Sequence, residues 1–136
     1  MRIYYRKGYK YQLDQGFGMR TDIIPIDILE TKYILLYRSG RLIIKMGYAW
    51  DGPSGPAVDT KSFMRASLVH DALYQLFRQG LLPLIWRKEV DKLLYQLCLE
   101  DGMWRWRAWL AYRAVRRFAK KAALPSQKKE VLEAGK

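Results

Sequence analysis

Residues 33–37 and 41–46, two runs rich in aliphatic and aromatic side chains, flank Ser39-Gly40 in the stretch YILLYRSGRLIIKMGY. A Ser-Gly pair suits a tight turn, so the runs are expected to pair as an antiparallel β-hairpin. Upstream, Ile3, Tyr5, Tyr9 and Tyr11 make a tyrosine-rich strand candidate interrupted at Gly8, and residues 21–29 make a second one broken by Pro25. A proline has no N–H to give to a ladder, which places such a strand at an edge. After Tyr48 the alternation stops. YAWDGPSGPAVDT, residues 48–60, is dominated by Gly, Pro, Asp and Ser, and beyond it the apolar period lengthens to that of a helix.

Three helices are expected. The first runs over about residues 62–78, with Asp59, Thr60 or Ser62 as its N-cap and Gly80 just past its end. At 100° per residue, Phe63, Ala66, Val69, Leu73, Tyr74, Leu76 and Phe77 share one arc, with His70 inside it and Asp71 at its polar edge. The second helix, residues 87–100, buries Val90, Leu93, Leu94 and Leu97, carries Asp91 at the margin of that face, and closes at Asp101-Gly102. The third, about residues 103–122, sets a narrow face of Trp104, Ala108, Ala111, Val115, Phe118 and Ala122 against a face carrying Arg105, Trp106, Trp109, Arg113, Arg116, Arg117 and Lys120. The fold class is therefore α+β: an N-terminal antiparallel β-hairpin or sheet region, then three C-terminal helices. Residues 1–123 are expected as one globular domain, divided into a β region (1–47), a Gly/Pro/Asp loop (48–60) and a helical region (61–123). Residues 124–136, which soon reach Pro125, are expected as a flexible tail.

Composition sharpens this picture at two points. With 136 residues, half of them hydrophobic, the chain can bury one core but is short for two. Its net charge of +12 predicts attraction to nucleic acid, an anionic membrane surface or an acidic protein. Much of that charge sits in residues 103–123, with seven Lys or Arg and no acid. The functional reading of the basic, tryptophan-bearing face is phosphate contact and stacking, or lodging at a membrane interface. The plainer reading is a solvated face that meets a protein partner. Cys98 is alone, so there is neither a disulfide framework nor a cysteine zinc cluster. No run reaches the ~18 apolar residues of a membrane span, and MRIYYRKGYKYQL lacks the apolar core of a signal peptide. A cytosolic place is expected where the chain is made, with release at cell lysis or packaging in a particle left open.

The chemistry concentrates in the loop and the first two helices. The loop lacks the GK[ST] ending of a phosphate-binding P-loop, and its glycines are too close for a GxSxG nucleophile elbow. Asp51, His70, Asp71 and Asp91 survive this filter. They supply the oxygen and imidazole ligands used by Mg, Mn or Zn, and with Ser54 they are also the candidates for acid-base work. Each has a plain structural use as well. Asp51-Gly52 is a good turn pair, Asp59 a natural cap, Asp71 can meet Arg78, and a lone histidine on an apolar face is commonly a hydrogen-bonded core residue. Taken together they carry more weight, because polar groups on buried helix faces need partners.

GYAWDGPSGP, RASLVHDALYQL and VDKLLYQLCLEDGM resemble a family of small phage and prophage proteins classed as a domain of unknown function. That family's pattern joins Asp-Gly-small-Ser-x-Pro to a His-Asp-x-Leu-Tyr helix and a later small-Asp-x-Leu helix. Here it falls on Asp51, Gly52, Ser54, Pro56, His70, Asp71, Leu73, Tyr74, Asp91 and Leu93, within roughly residues 33–118. Pro53 and Val90 replace the more usual alanines, and neither change touches a candidate ligand. The resemblance implies a phage or prophage origin and a shared polar constellation, with no activity attached. Two functions fit these residues. One is a small hydrolase, metal-assisted or metal-free, with His70 as base or ligand, Asp71 and Asp91 as ligands or orienters, and Asp51 and Ser54 completing the site. The other is a non-catalytic virion, assembly, host-factor-binding or nucleic-acid-binding protein whose Asp/His group is a structural network. The pattern of an HD phosphohydrolase is only superficially similar, since one histidine cannot complete its metal shell.

Overall fold

The computed structural model describes residues 11–50 and 61–124, together with the backbone of residues 5–6. Asp51, Ser54, Asp59, Thr60 and residues 125–136 of the expected tail lie outside the described residues. The architecture is α+β, two antiparallel sheets followed by three helices. Strands β1 (Tyr5–Arg6), β2 (Tyr11–Leu13) and β7 (Ala49–Trp50) form one sheet in the order β1-β2-β7. Strands β3 (Phe17–Arg20), β4 (Leu29–Glu30), β5 (Ile34–Leu36) and β6 (Arg41–Ile44) form the other in the order β3-β6-β5-β4.

The β5–β6 hairpin forms where the alternation predicts it. Ile34 faces Ile44 and Leu36 faces Leu42 across the ladder, and all four are buried. A slip of one residue would turn this set toward solvent, so the apolar pattern sets the register. The turn closes through Gly40 N–H to Tyr37 O (2.9 Å) and Tyr37 N–H to Arg41 O (2.9 Å), with Gly40 at φ +92°. Its carbonyl is also used, accepting from Thr21 N–H (2.8 Å) and from the Thr21 hydroxyl (2.7 Å).

Residues 21–29 do not form the strand expected of them. Only Leu29 enters one, while Ile24, Ile26 and Ile28 are exposed. Pro25 removes a donor, and the Thr21 hydroxyl takes the Ile23 N–H (3.1 Å), so the segment satisfies its backbone locally. The strand beside β6 is instead β3, whose sequence FGMR offers weak β-propensity and is held by pairing with β6.

The helices are α1 (Lys61–Arg78), α2 (Arg87–Glu100) and α3 (Arg105–Phe118), with 3₁₀ turns at Leu84–Trp86 and Lys121–Ala123. Helix α1 is buried on nearly every side, Asp71 being one of its few half-exposed positions. Trp50 of β7 donates its indole N–H to Ser67 of α1 (3.0 Å), which ties the first sheet to the helices. Both α1 and α2 end in the same way. At Gly80 and Gly102, φ is positive, and the next residue's N–H reaches back five residues, Leu81 to Leu76 O and Met103 to Cys98 O. The α2–α3 connection is thereby short and the two helices run antiparallel.

Helix α3 is shorter than its apolar pattern suggests, and two residues of the expected packed face are not packed. Trp104 is 72% and Phe118 73% exposed. Trp104 precedes the helix with ψ 143°, so helical phase does not govern it, and Phe118 is the last helical residue. Ala108, fully buried, with Ala111 and Val115 makes the contact.

Gly40 and Gly80 give a test of this reading. A Cβ at Gly40 would run into the Thr21 carbonyl oxygen, whereas one at Gly80 meets nothing. Gly80→Ala is expected to cost about 1 to 2 kcal/mol from the left-handed conformation alone, and Gly40→Ala clearly more, as read from urea unfolding midpoints. Equal losses would mean that the Thr21 contact does not constrain the hairpin.

Candidate functional site

His70 lies in the middle of α1 and Asp91 one turn into α2, and the packing of these helices brings them together. His70 Nε2 stands 2.8 Å from Asp91 Oδ1. Asp91 has no solvent exposure, so it sits deeper than the margin expected of it. The same oxygen accepts the Tyr74 hydroxyl at 2.7 Å, and Oδ2 accepts Arg116 Nη1 at 2.9 Å, with Arg87 Nη2 at 3.9 Å. The Tyr74 oxygen in turn accepts Arg87 Nε (2.9 Å). His70 and Tyr74, one turn apart on α1, stack with ring centroids 4.2 Å apart.

Electrostatics sets the protonation of this group. Burial alone would raise the Asp91 pKa, but hydrogen bonds from His70, Tyr74 and Arg116 outweigh it and hold the carboxyl below its usual range. Burial, reinforced by the Asp91 charge, pushes the Tyr74 hydroxyl well above its ordinary value, so it stays a donor. An ionised carboxylate can only accept, hence Nε2 of neutral His70 carries the proton and Nδ1 the lone pair. Nδ1 has no hydrogen bond among the described residues, where no buried side-chain nitrogen or oxygen lacks a partner. It is therefore the ring atom that solvent reaches, consistent with a side chain 9% exposed.

Arg87 and Arg116 join this site to α3. Besides facing Asp91, Arg87 Nη2 donates to the carbonyls of Val115 (2.8 Å) and Arg116 (3.0 Å), and Arg78 Nη1 donates to Ala122 O (3.0 Å). These carbonyls lie at the end of α3 and in the turn beyond it, and that of Val115 also accepts the Ala119 N–H (3.0 Å), so Arg87 adds a second donor there. A separate ionic contact lies at the C-terminal end of α2. Arg65 of α1, itself buried, donates to both Asp101 oxygens at 3.0 Å and to Glu100 at 2.9 Å.

Of the expected site residues, His70 and Asp91 are in contact. Asp71 follows His70 on α1, about 100° around the helix, and is half-exposed. Asp51 and Ser54 lie outside the described residues. Among the described residues no three His, Cys, Asp or Glu side chains converge to hold a metal ion. Both Asp91 oxygens accept from protein donors, Oδ1 from His70 and Tyr74 and Oδ2 from Arg116. Arg116, expected on the outward basic face, turns inward to Asp91. Arg105, Trp106, Trp109, Arg113, Arg117 and Lys120 are exposed as expected. Tyr74 and Arg87 were not among the candidates. The signal for both was spacing, because Tyr74 is four residues after His70 and Arg87 four before Asp91, each pair on one helix face.

The depressed Asp91 pKa fixes a pH dependence. Its ionised form contributes stability above the unfolded value of about 3.9, and that contribution is lost as pH falls through the lower folded value. Asp91→Asn is expected to flatten this acid limb in urea unfolding measured from about pH 5 downward. At neutral pH the same change should cost about 3 to 5 kcal/mol, the range for removing one partner of a buried ion pair. An acid limb identical to the unaltered chain's would show that Asp91 is not held ionised by the fold. Cys98, buried and pushed up to about 12 by that burial and the nearby Asp101, should react with thiol reagents only on unfolding.

No curated protein and no solved structure matches the chain. No helix among the described residues is long and apolar enough to cross a membrane. Residues 29–115, which contain His70, Tyr74, Arg87 and Asp91, match the family model described as Protein of unknown function (DUF1353). That match spans more than half of the 136 residues, and the chain belongs to this family.

Proposed function

We propose that the chain is a phage- or prophage-encoded hydrolase, acting in the host cytoplasm or from the virion, in which His70 is the general base. The observation that supports this reading is the orientation of the imidazole. Asp91 Oδ1 accepts the Nε2–H from within the core, with the two heavy atoms 2.8 Å apart, so the lone pair on Nδ1 is directed to the side that water reaches. A carboxylate that sets the tautomer of a histidine while remaining ionised is the arrangement used by acid-base triads. In the proposed step Nδ1 takes a proton from a water as its oxygen attacks the substrate, then returns that proton to the leaving group. Asp71 and Asp51 would flank the reacting atoms and Ser54 would supply a hydroxyl. In a metal-assisted form of this reading the same nitrogen would take one divalent ion, Mg, Mn or Zn, with Asp71 and Asp51 as the carboxylates the sequence offers, because a histidine ligand commonly gives its other N–H to a carboxylate.

A second reading is favoured by the full burial of Asp91 and its two arginine partners. In it the network only locks three helices, and the chain is a non-catalytic virion, assembly, host-factor-binding or nucleic-acid-binding protein.

Turnover of ester, phosphodiester, amide and glycosidic substrates, with and without each metal, separates the two. The hydrolase reading expects turnover of at least one class, reduced by about 10²-fold or more in His70→Gln, with the far-UV spectrum unchanged. If a metal is involved, it should raise the folding stability by about 2.7 kcal/mol at a hundredfold excess over its Kd, and His70→Ala should remove that gain. No turnover of any class would favour the helix lock.

A further inference from the structure

Helix α3 turns an unusual face to solvent. At 100° per residue, Trp106, Leu110, Arg113 and Arg117 fall within about 60° of one another, diametrically opposite the packed Ala108 and Val115. Trp106 is 60% and Leu110 56% exposed, and both arginines are exposed. Trp104 stands at one end of this stripe, Trp109 beside it, and Phe118 at the other end, all exposed. The stripe thus carries large apolar groups and cations together. With Arg116 drawn inward by Asp91, the field around it comes from Arg105, Arg113, Arg117, Lys120 and Lys121, all exposed, with no acid in residues 103–123.

We propose that this face docks on an anionic phospholipid surface, with α3 lying in the headgroup plane. Trp106 and Leu110 enter the acyl boundary, while Arg113 and Arg117 meet lipid phosphates. Charge complementarity carries the choice of partner, because a helix face of one sign suits a continuous anionic plane. The apolar groups then separate lipid from nucleic acid. Leu110 offers nothing to a phosphate backbone or a base stack, but its burial in lipid is favourable. Trp109, the tryptophan next to the stripe, is already stacked on Tyr112 (5.7 Å) and has the Arg113 guanidinium 5.7 Å from its ring centre. That leaves it poorly placed to receive a base, while a tryptophan edge at headgroup level needs no free face. The shallow apolar groove between Tyr95, Trp104, Arg105, Trp106 and Trp109 lies beside the stripe and extends the surface that could meet the membrane. This surface is separate from His70 and does not depend on whether the chain is a hydrolase.

Co-sedimentation of the full chain with vesicles of phosphatidylcholine, or of phosphatidylcholine mixed with phosphatidylglycerol, tests the proposal. Binding is expected only to the mixed vesicles, with a blue shift of tryptophan emission and weakening by salt. Each arginine near such a surface contributes about fivefold in partitioning, so Arg113→Gln with Arg117→Gln should lose about 25-fold. Leu110→Ser should lose about tenfold through its buried area. Each altered side chain is exposed, so circular dichroism should stay unchanged. The proposal is overturned if the mixed vesicles do not bind at low salt, or if Leu110→Ser binds them as well as the unaltered chain. It is equally overturned if single-stranded or duplex oligonucleotides bind and the vesicles do not.

Discussion

A carboxylate with no access to water anchors the helical half of this molecule. Transferring Asp91 from water costs several kcal/mol unless donors replace the lost hydration, and no single helix supplies them. His70 and Tyr74 come from α1, Arg87 from α2 itself, and Arg116 from α3. Removing α1 or α3 would leave a buried charge short of partners, so the packing of the three helices is coupled through this carboxylate. Arg87 shows how closely the elements depend on one another. Its guanidinium faces Asp91, donates to Tyr74 and donates to two carbonyls at the end of α3. Arg65 does the corresponding work at the opposite end, joining α1 to the α2–α3 turn.

Much of this frame was legible in the chain, for reasons that differ by element. Helix α2 lies where its period and its Asp-Gly terminator placed it, because both are local signals. The hairpin of β5 and β6 was legible because alternation and a turn glycine agree. Strand β3 was not, since FGMR becomes a strand by lying beside β6 and its own propensity is weak. Residues 21–29 failed in the opposite sense. Their apolar residues suggested a strand, but Pro25 and the Thr21 hydroxyl settle the backbone otherwise.

The site was half legible for a related reason. Periodicity could show that His70 and Asp91 lie near apolar faces, and hence that each needs a partner. It could not show that they partner each other, which depends on the crossing of α1 and α2. Helical phase also misjudged Arg116. A long guanidinium can leave the angle of its Cα to reach a buried charge, so a residue counted as outward serves the interior. Trp104 and Phe118 erred the other way, because phase has no authority at a helix end.

The two arginines constrain what the site can do chemically. With guanidiniums near Oδ2, and His70 and Tyr74 on Oδ1, Asp91 stays ionised and cannot itself take up the histidine proton. Any proton that His70 exchanges with a substrate or water must therefore pass through Nδ1, at the open side of the ring. The same two cations also tie the carboxylate to the rest of the bundle, Arg116 from α3 and Arg87 through its own bonds to α3 carbonyls. A substitution that frees Asp91 from Arg116 would therefore loosen the hold of α3 and at the same time take a donor from a charge that has no access to water, because one bond serves both ends.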